Sequence, residues 1–217
     1  MFGIFCCRIF KFVSFLLVLL LFVSCIGAAS QVTLASDGSG SILLEYRISS
    51  ELESLGRLDG NQYQPPLPAA RTDLERSVAR ISGLDLVSYS SRQDGKDIVY
   101  RAELSFSSPQ ALTAFFDSSG RLFRIDFSGR KLIISLMETG SVDTAFKEFA
   151  DGFLHGYEFS VSFTVPGTAG TQWVGADGSI SSRFPGVCFV SGPTVQYTVP
   201  MTELVFLESP LFLEISW

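Results

Sequence analysis

The groups in this chain whose types and spacing bear on chemistry are a few carboxylates, one imidazole and two thiols. Asp94 and Asp97 bracket a Gly-Lys step, while Asp143, Glu148 and Asp151 fall on or near one helical stretch. Two carboxylates can share acid–base work when their surroundings separate their proton affinities. Helix-end electrostatics or a solvated face explains these five more simply, so none is assigned a catalytic role. His155 is the only histidine, and just ahead of Gly156 it reads as a capping or surface group. There is no second histidine and no cysteine beside Cys188, so the usual metal-ligand spacings are missing. Cys188 lies in Val-Cys-Phe-Val with no nearby cation to lower its pKa, which makes it a small core residue. Nucleophile-elbow, Walker and dinucleotide motifs are lacking. The glycine-rich Asp37–Ser41 joins two strand-like runs and reads as a turn rather than a phosphate cradle. The expectation is a non-enzymatic chain with no catalytic residue, metal or cofactor.

Cys25 is the exception. Arg8 and Lys11 precede the apolar run Phe12–Val23, and Ser24, Cys25, Gly27, Ala28, Ala29 and Ser30 follow. A charged end, an apolar middle and a small-residue end form the layout of an export signal. A cysteine directly after the apolar run resembles the lipobox at which bacterial lipoproteins are acylated, with Phe22 in the usual leucine position and Leu21 one residue earlier. Lipidation at Cys25 makes residues 1–24 a signal peptide and attaches the remainder to a membrane through a lipid anchor. Two rivals fit the same residues. One is ordinary cleavage after Ala29 or Ser30; the other is an uncleaved anchor over Phe12–Ala29, near the lower limit of roughly 17–25 residues for a spanning helix. All three leave the rest outside the cytoplasm, because Arg8 and Lys11 stay inside. The expected location is the bacterial cell envelope, on the periplasmic or outer side of a membrane. Removing residues 1–24 takes away two cations and no anion, so the net charge of −6 becomes −8. An acidic domain has no electrostatic reason to bind nucleic acid. With Cys6 and Cys7 lost and Cys25 acylated, Cys188 is left without a disulfide partner.

The elements that must position these groups read mainly as strands. In Ser41–Ser49, Ile42, Leu44, Tyr46 and Ile48 face one way and Glu45 and Arg47 the other, and in Asp97–Ser107 Ala102, Leu104 and Phe106 alternate with Arg101, Glu103 and Ser105. The same period of two runs through Phe123–Phe127 and Phe159–Val165, the pattern of antiparallel strands with one buried face. Asp37-Gly38, Asp94-Gly95 and Ser128-Gly129 supply hairpin turns. Helices are predicted over Ser49–Leu58 and Ala69–Ile81, from Ser108-Pro109 to near Gly120, and over Val142–Phe153. Residues 166–217 are dense in Gly and Pro, with short β-prone runs such as Val187–Val190 and Val195–Val199. The first strand is predicted from about Val32, some seven residues after Cys25. The predicted fold class is therefore α+β. An antiparallel sheet is built from successive β-hairpin–helix units with helices on one face, and a β-rich C-terminal segment follows. Residues 25–217 form one extracytoplasmic domain, of which 166–217 is an extension.

Fourteen of the 20 phenylalanines survive signal removal. At regular spacing they read first as core, but a curved sheet under one layer of helices can leave an apolar cleft. Phe115, Phe116, Phe123, Phe127, Phe146 and Phe149 are the candidate lining of such a cleft.

Several segments together resemble the LppM-type bacterial lipoproteins: the signal with Cys25, the hairpin Val32–Ile48, the helix through Leu74–Leu86, Asp94–Phe116, Phe159–Gly167, Thr194–Leu204 and the tail ending in Leu-Glu-Ile-Ser-Trp. The resemblance spans most of the mature chain and is one of pattern and order. It implies an α+β extracytoplasmic domain on a lipid anchor and, by similarity to the mycobacterial member, a lipid or glycolipid ligand. It supplies no catalytic residues, and the C-terminal membrane helix it leads one to look for has no counterpart before Trp217. Two functions are expected from this. The first is an anchored module that binds a lipid or other amphiphile in an apolar cleft. The alternative is an envelope-structural or protein-interaction (adhesin-like) lipoprotein whose protein partner the sequence does not name.

Overall fold

The computed structural model describes residues 26–50, 71–117, 123–136, 158–205, 207 and 211–217. Alternating runs become strands and turn signals become hairpins. β1 (Ile26–Leu34) and β2 (Gly40–Ser49) meet across Asp37-Gly38-Ser39, where Asp37 accepts from the Ser39 amide at 3.0 Å. β3 (Leu84–Asp94) and β4 (Asp97–Phe106) meet across Gly95-Lys96, and β5 (Phe123–Asp126) and β6 (Lys131–Ser135) across Ser128-Gly129. β7 (Glu158–Thr164), β8 (Gly170–Gly175), β9 (Val187–Ser191), β10 (Thr194–Pro200) and β11 (Leu211–Ser216) complete the strands. Three short helices stand among the described residues: α1 (Arg71–Val78), α2 (Pro109–Phe116) and α3 (Met201–Val205). α2 begins where the sequence indicates, with the Ser108 hydroxyl accepting from the Ala111 amide at 3.2 Å and Pro109 in its first turn. It ends at Phe116, short of the predicted Gly120.

The strands form two sheets, a larger one ordered β3-β4-β2-β1-β7-β10-β9 and a smaller one ordered β5-β6-β11-β8. This overturns the predicted α+β architecture of hairpin–helix units. The domain is mostly β, and its two eight-residue helices are accessories to a two-sheet core. The reason is non-local pairing. β1 pairs with β2 in a hairpin but also runs parallel to β7, about 130 residues away, a neighbour that no local turn signal reveals. Residues 166–217 supply β9 and β10 to one sheet and β8 and β11 to the other. The predicted helices over Val142–Phe153 and most of Ser49–Leu58 lie outside the described residues.

A single core joins the two sheets. Val32, Ile42, Leu104, Val161 and Val195 point inward from the larger sheet, and Leu132, Trp173, Leu213 and Ile215 from the smaller. Leu74 and Val78 of α1 and Ala111 and Leu112 of α2 close it. Ring contacts bridge the layers, Trp173 to Tyr197 at 5.1 Å and Phe123 to Phe163 at 6.3 Å. The opposite face of the larger sheet is polar along β7 and β10: Ser160 pairs with Thr198, and Thr164 with Thr194, each at 3.2 Å.

β1 departs from the prediction at its start. It starts at Ile26 rather than near Val32, so no seven-residue spacer separates it from Cys25. Gly27-Ala28-Ala29 has no alternation to mark it as strand; its neighbours β2 and β7 recruit it from both sides. β1 is also the middle strand of the seven. Ser30 faces the core opposite Leu44 and Val161, and its hydroxyl has no hydrogen-bond partner among the described residues.

Candidate functional site

The structure brings Phe115, Phe116 and Phe123 together, with Phe115 edge-on to Phe116 at 5.3 Å and Phe116 against Phe123 at 4.9 Å. Phe123 is buried, and Phe115 and Phe116 pack against the core around it. Phe127 lies apart from this ladder, 6.2 Å from Trp217. Phe146 and Phe149 lie outside the described residues, as do Cys25, Asp143, Glu148, Asp151 and His155. Nearby hollows are lined mainly by polar and small groups, one of about 360 Å³ between α2 and β5 and one of about 670 Å³ between α1 and α2.

Asp94 and Asp97 do converge, but on a cation. Arg47 reaches Asp94 at 2.8 Å and the buried Asp97 at 3.2 Å. Those two carboxylates raise the guanidinium's pKa, the Asp97 hydrogen bond most, so the cluster fastens the β3–β4 turn to β2. Cys188 packs against the core, and burial pushes its thiol pKa up, a small core residue as its sequence setting suggests. No group of three or more metal-ligating side chains occurs among the described residues.

A larger groove of about 780 Å³ lies under the loop from Ala176 to Gly186, which joins β8 of one sheet to β9 of the other. Its apolar lining is Ile180, Phe184, Pro185, Leu207 and Leu211, with Arg183, Asp177 and Ser179, Ser181 and Ser182 as polar members. The loop is built to hold this shape. Asp177 caps a tight turn by accepting from the Ser179 amide at 2.9 Å and its hydroxyl at 2.6 Å, contacts that hold its carboxyl below the usual range. The Ser181 amide donates to the Trp173 carbonyl at 2.8 Å, and Ile180 bridges to Val174. Phe184 stacks on Trp173, rings 4.5 Å apart and nearly parallel at 11°. The Tyr197 hydroxyl donates to the Pro185 carbonyl at 2.9 Å; burial drives its pKa far up, so it remains a neutral donor. The Gly186 amide donates to the Glu203 carboxylate at 3.1 Å, tying the loop to α3.

Strand polarity locates the groove. β7 is parallel to β1, β10 antiparallel to β7, and β9 antiparallel to β10. β9 and β1 therefore run the same way, and the loop ahead of Val187 lies at the end of the sheet where Ile26 begins β1. Sequence reasoning missed the groove because Ile180, Phe184, Leu207 and Leu211 share no period. The one available signal was two isolated apolar residues within the Gly-, Ser- and Pro-rich run 177–186.

No family model and no curated protein matches the sequence. Among solved structures, the folded domain of the Mycobacterium tuberculosis LppM protein, determined by NMR, is similar. It has 10% identity and a TM-score of 0.41, with 90% of this chain and 91% of that one covered. The likeness is weak and lies at the level of the fold, and it assigns no residue a role. Among the described residues, no helix is long and apolar enough to cross a membrane.

Proposed function

We propose that this chain is a non-catalytic bacterial lipoprotein, acylated at Cys25, whose extracytoplasmic domain binds a lipid or other amphiphile in the groove under the β8–β9 loop. The observation that carries the reading is the position of β1. Cleavage after Ser30 would remove Ile26–Ser30, five of the nine residues of the central strand. The backbone groups of β2 and β7 that pair with them would lose their partners in the middle of a sheet. Cleavage ahead of Cys25 keeps the strand whole and seats an acyl chain directly against the fold.

The groove suits an amphiphile: an apolar lining with a few fixed polar groups orients a ligand that has a greasy body and a polar end. Arg183 supplies the cation for an anionic or polar head, and Ile180, Phe184 and Leu211 the apolar contact. The Asp94–Asp97 pair is committed to Arg47, which favours binding over acid–base catalysis. Native mass spectrometry of the full chain released from membranes in mild detergent tests the groove. Wild type should carry a non-covalent lipid mass that is shed on activation, and Ile180→Asp should lose it. Bare protein in both samples would refute the groove as a lipid site.

A further inference from the structure

The two edges of the larger sheet are finished differently. β3, one edge, carries Asp85, Arg92 and Asp94 and a register shift between Leu86 and Ser88. Charges and bulges of this kind keep an edge from associating. β9, the other edge, is Val-Cys-Phe-Val-Ser, with no charge at all. Val187 and Phe189 project onto the face where their ladder partners are Thr198 and Gln196, and they are 69% and 63% exposed. Just ahead of them in the loop, Ile180 is 74% exposed and Phe184 37%. Val187 and Phe189, large exposed apolar groups on an uncharged edge, mark a contact surface, and Ile180 and Phe184 flank it from the side of the smaller sheet.

The position of this patch selects its partner. Val187 is level with Ala29 through Thr198 and Ser160, so it stands three residues, roughly 10 Å, along the strand direction from Ile26. β9 is three strand spacings, roughly 14 Å, to the side of β1. Cys25, the acylated residue of the proposed function, directly precedes Ile26 of β1, so the chain meets its anchor at this end of the sheet. A second copy pairing β9 antiparallel to itself would send the two β1 strands, and their anchors, in opposite directions, which disfavours a dimer on one membrane.

We infer that the β9 edge of the larger sheet lies against the membrane in which the chain is anchored. Ile180, Phe184, Val187 and Phe189 enter the interfacial layer, and Arg183 meets lipid phosphate. The inference rests on the anchored reading above. Shallow burial of a few apolar side chains beside a lipid anchor is a two-signal attachment, which holds a domain at a surface more firmly than one acyl chain alone. The contact tilts the domain toward β9 and brings the mouth of the groove to the bilayer.

The test places tryptophan at the edge in the full chain, reconstituted in vesicles of phosphatidylethanolamine and phosphatidylglycerol with bromine at shallow acyl positions. Val187→Trp should lose fluorescence relative to unbrominated vesicles, whereas Val87→Trp, on the opposite edge and 59% exposed, should keep it. Phe189→Trp repeats the measurement should Val187→Trp fold poorly. Carbonate extraction of the same vesicles reads the anchor separately. Protein released to the supernatant overturns the anchored reading itself. Protein retained, with neither edge tryptophan quenched, overturns the docking, as does a crosslinked partner strand along β9 that shields it from quencher.

Discussion

Gly186, the last residue of the loop before β9, gives the sharpest check on how the groove is built. Its φ is 73°, in the left-handed region, and a Cβ there would sit 2.2 Å from the Thr198 carbonyl oxygen and 2.7 Å from the Val199 Cβ. Gly178, in the same loop, has φ 80° but open space around its missing Cβ. The two glycines separate backbone strain from steric overlap. Gly178→Ala meets only the left-handed penalty, roughly 1–2 kcal/mol. Gly186→Ala adds overlap with backbone that no rotamer change relieves, a further ~1–3 kcal/mol of overpacking. At roughly 2–4 °C per kcal/mol for a domain of this size, Gly178→Ala should lower Tm by ~4 °C and Gly186→Ala by ~10 °C. Thermal melting of the full chain in detergent, followed by circular dichroism, reads both. The larger loss should come with weaker lipid retention, because moving Gly186 displaces Pro185 and breaks the contacts to Glu203 and Tyr197. Equal losses from the two substitutions, or a Gly186→Ala protein as stable as wild type, would refute this account of the loop.

Three further outcomes follow from the same structure. Tyr197→Phe removes the hydroxyl that fastens Pro185, so it should cost ~1 kcal/mol in melting and loosen the loop enough for faster proteolysis within 176–186. Ser30→Ala deletes a buried hydroxyl without a partner among the described residues and should leave Tm unchanged or raise it; a clear loss would mean that the hydroxyl is bonded. Burial alone would raise the Glu214 pKa, but its bonds to Lys131 and Gln172 outweigh this and hold it below its ordinary 4.5. The folded chain therefore keeps this carboxylate charged where the unfolded chain protonates it. Its contribution, full at neutral pH, fades as pH falls from about 4.5 through the lowered native value, and Glu214→Gln should flatten that part of the acid-unfolding curve.

What was legible in the sequence was local. The hairpin turns at Asp37-Gly38, Asp94-Gly95 and Ser128-Gly129, the Ser108-Pro109 helix start, the strand alternation in Ile42–Ile48 and the β-prone run Val195–Val199 are short-range signals, and each corresponds to an element. What was hidden depends on distant partners. The β1–β7 pairing, the split of strands between two sheets and the early start of β1 at Gly27-Ala28-Ala29 come from long-range ladders rather than from residue pattern. The groove was illegible for a related reason: its lining comes from an irregular loop, the stretch after α3 and the start of β11. Of the phenylalanines that stood out in the sequence, Phe115, Phe116 and Phe123 lie in or against the core, and Phe123 meets Phe163 between the layers.

On the proposed reading the fold begins at the anchor, and intact mass tests this most directly. Intact-mass analysis of the membrane-extracted full-length product, beside Cys25→Ala, should find a mature chain that starts at Cys25 with a diacylglyceryl-sized mass gain, absent from the variant. A mature N-terminus at Ser30 or Gln31 would contradict the account, because it would show the sheet standing without the first half of its central strand.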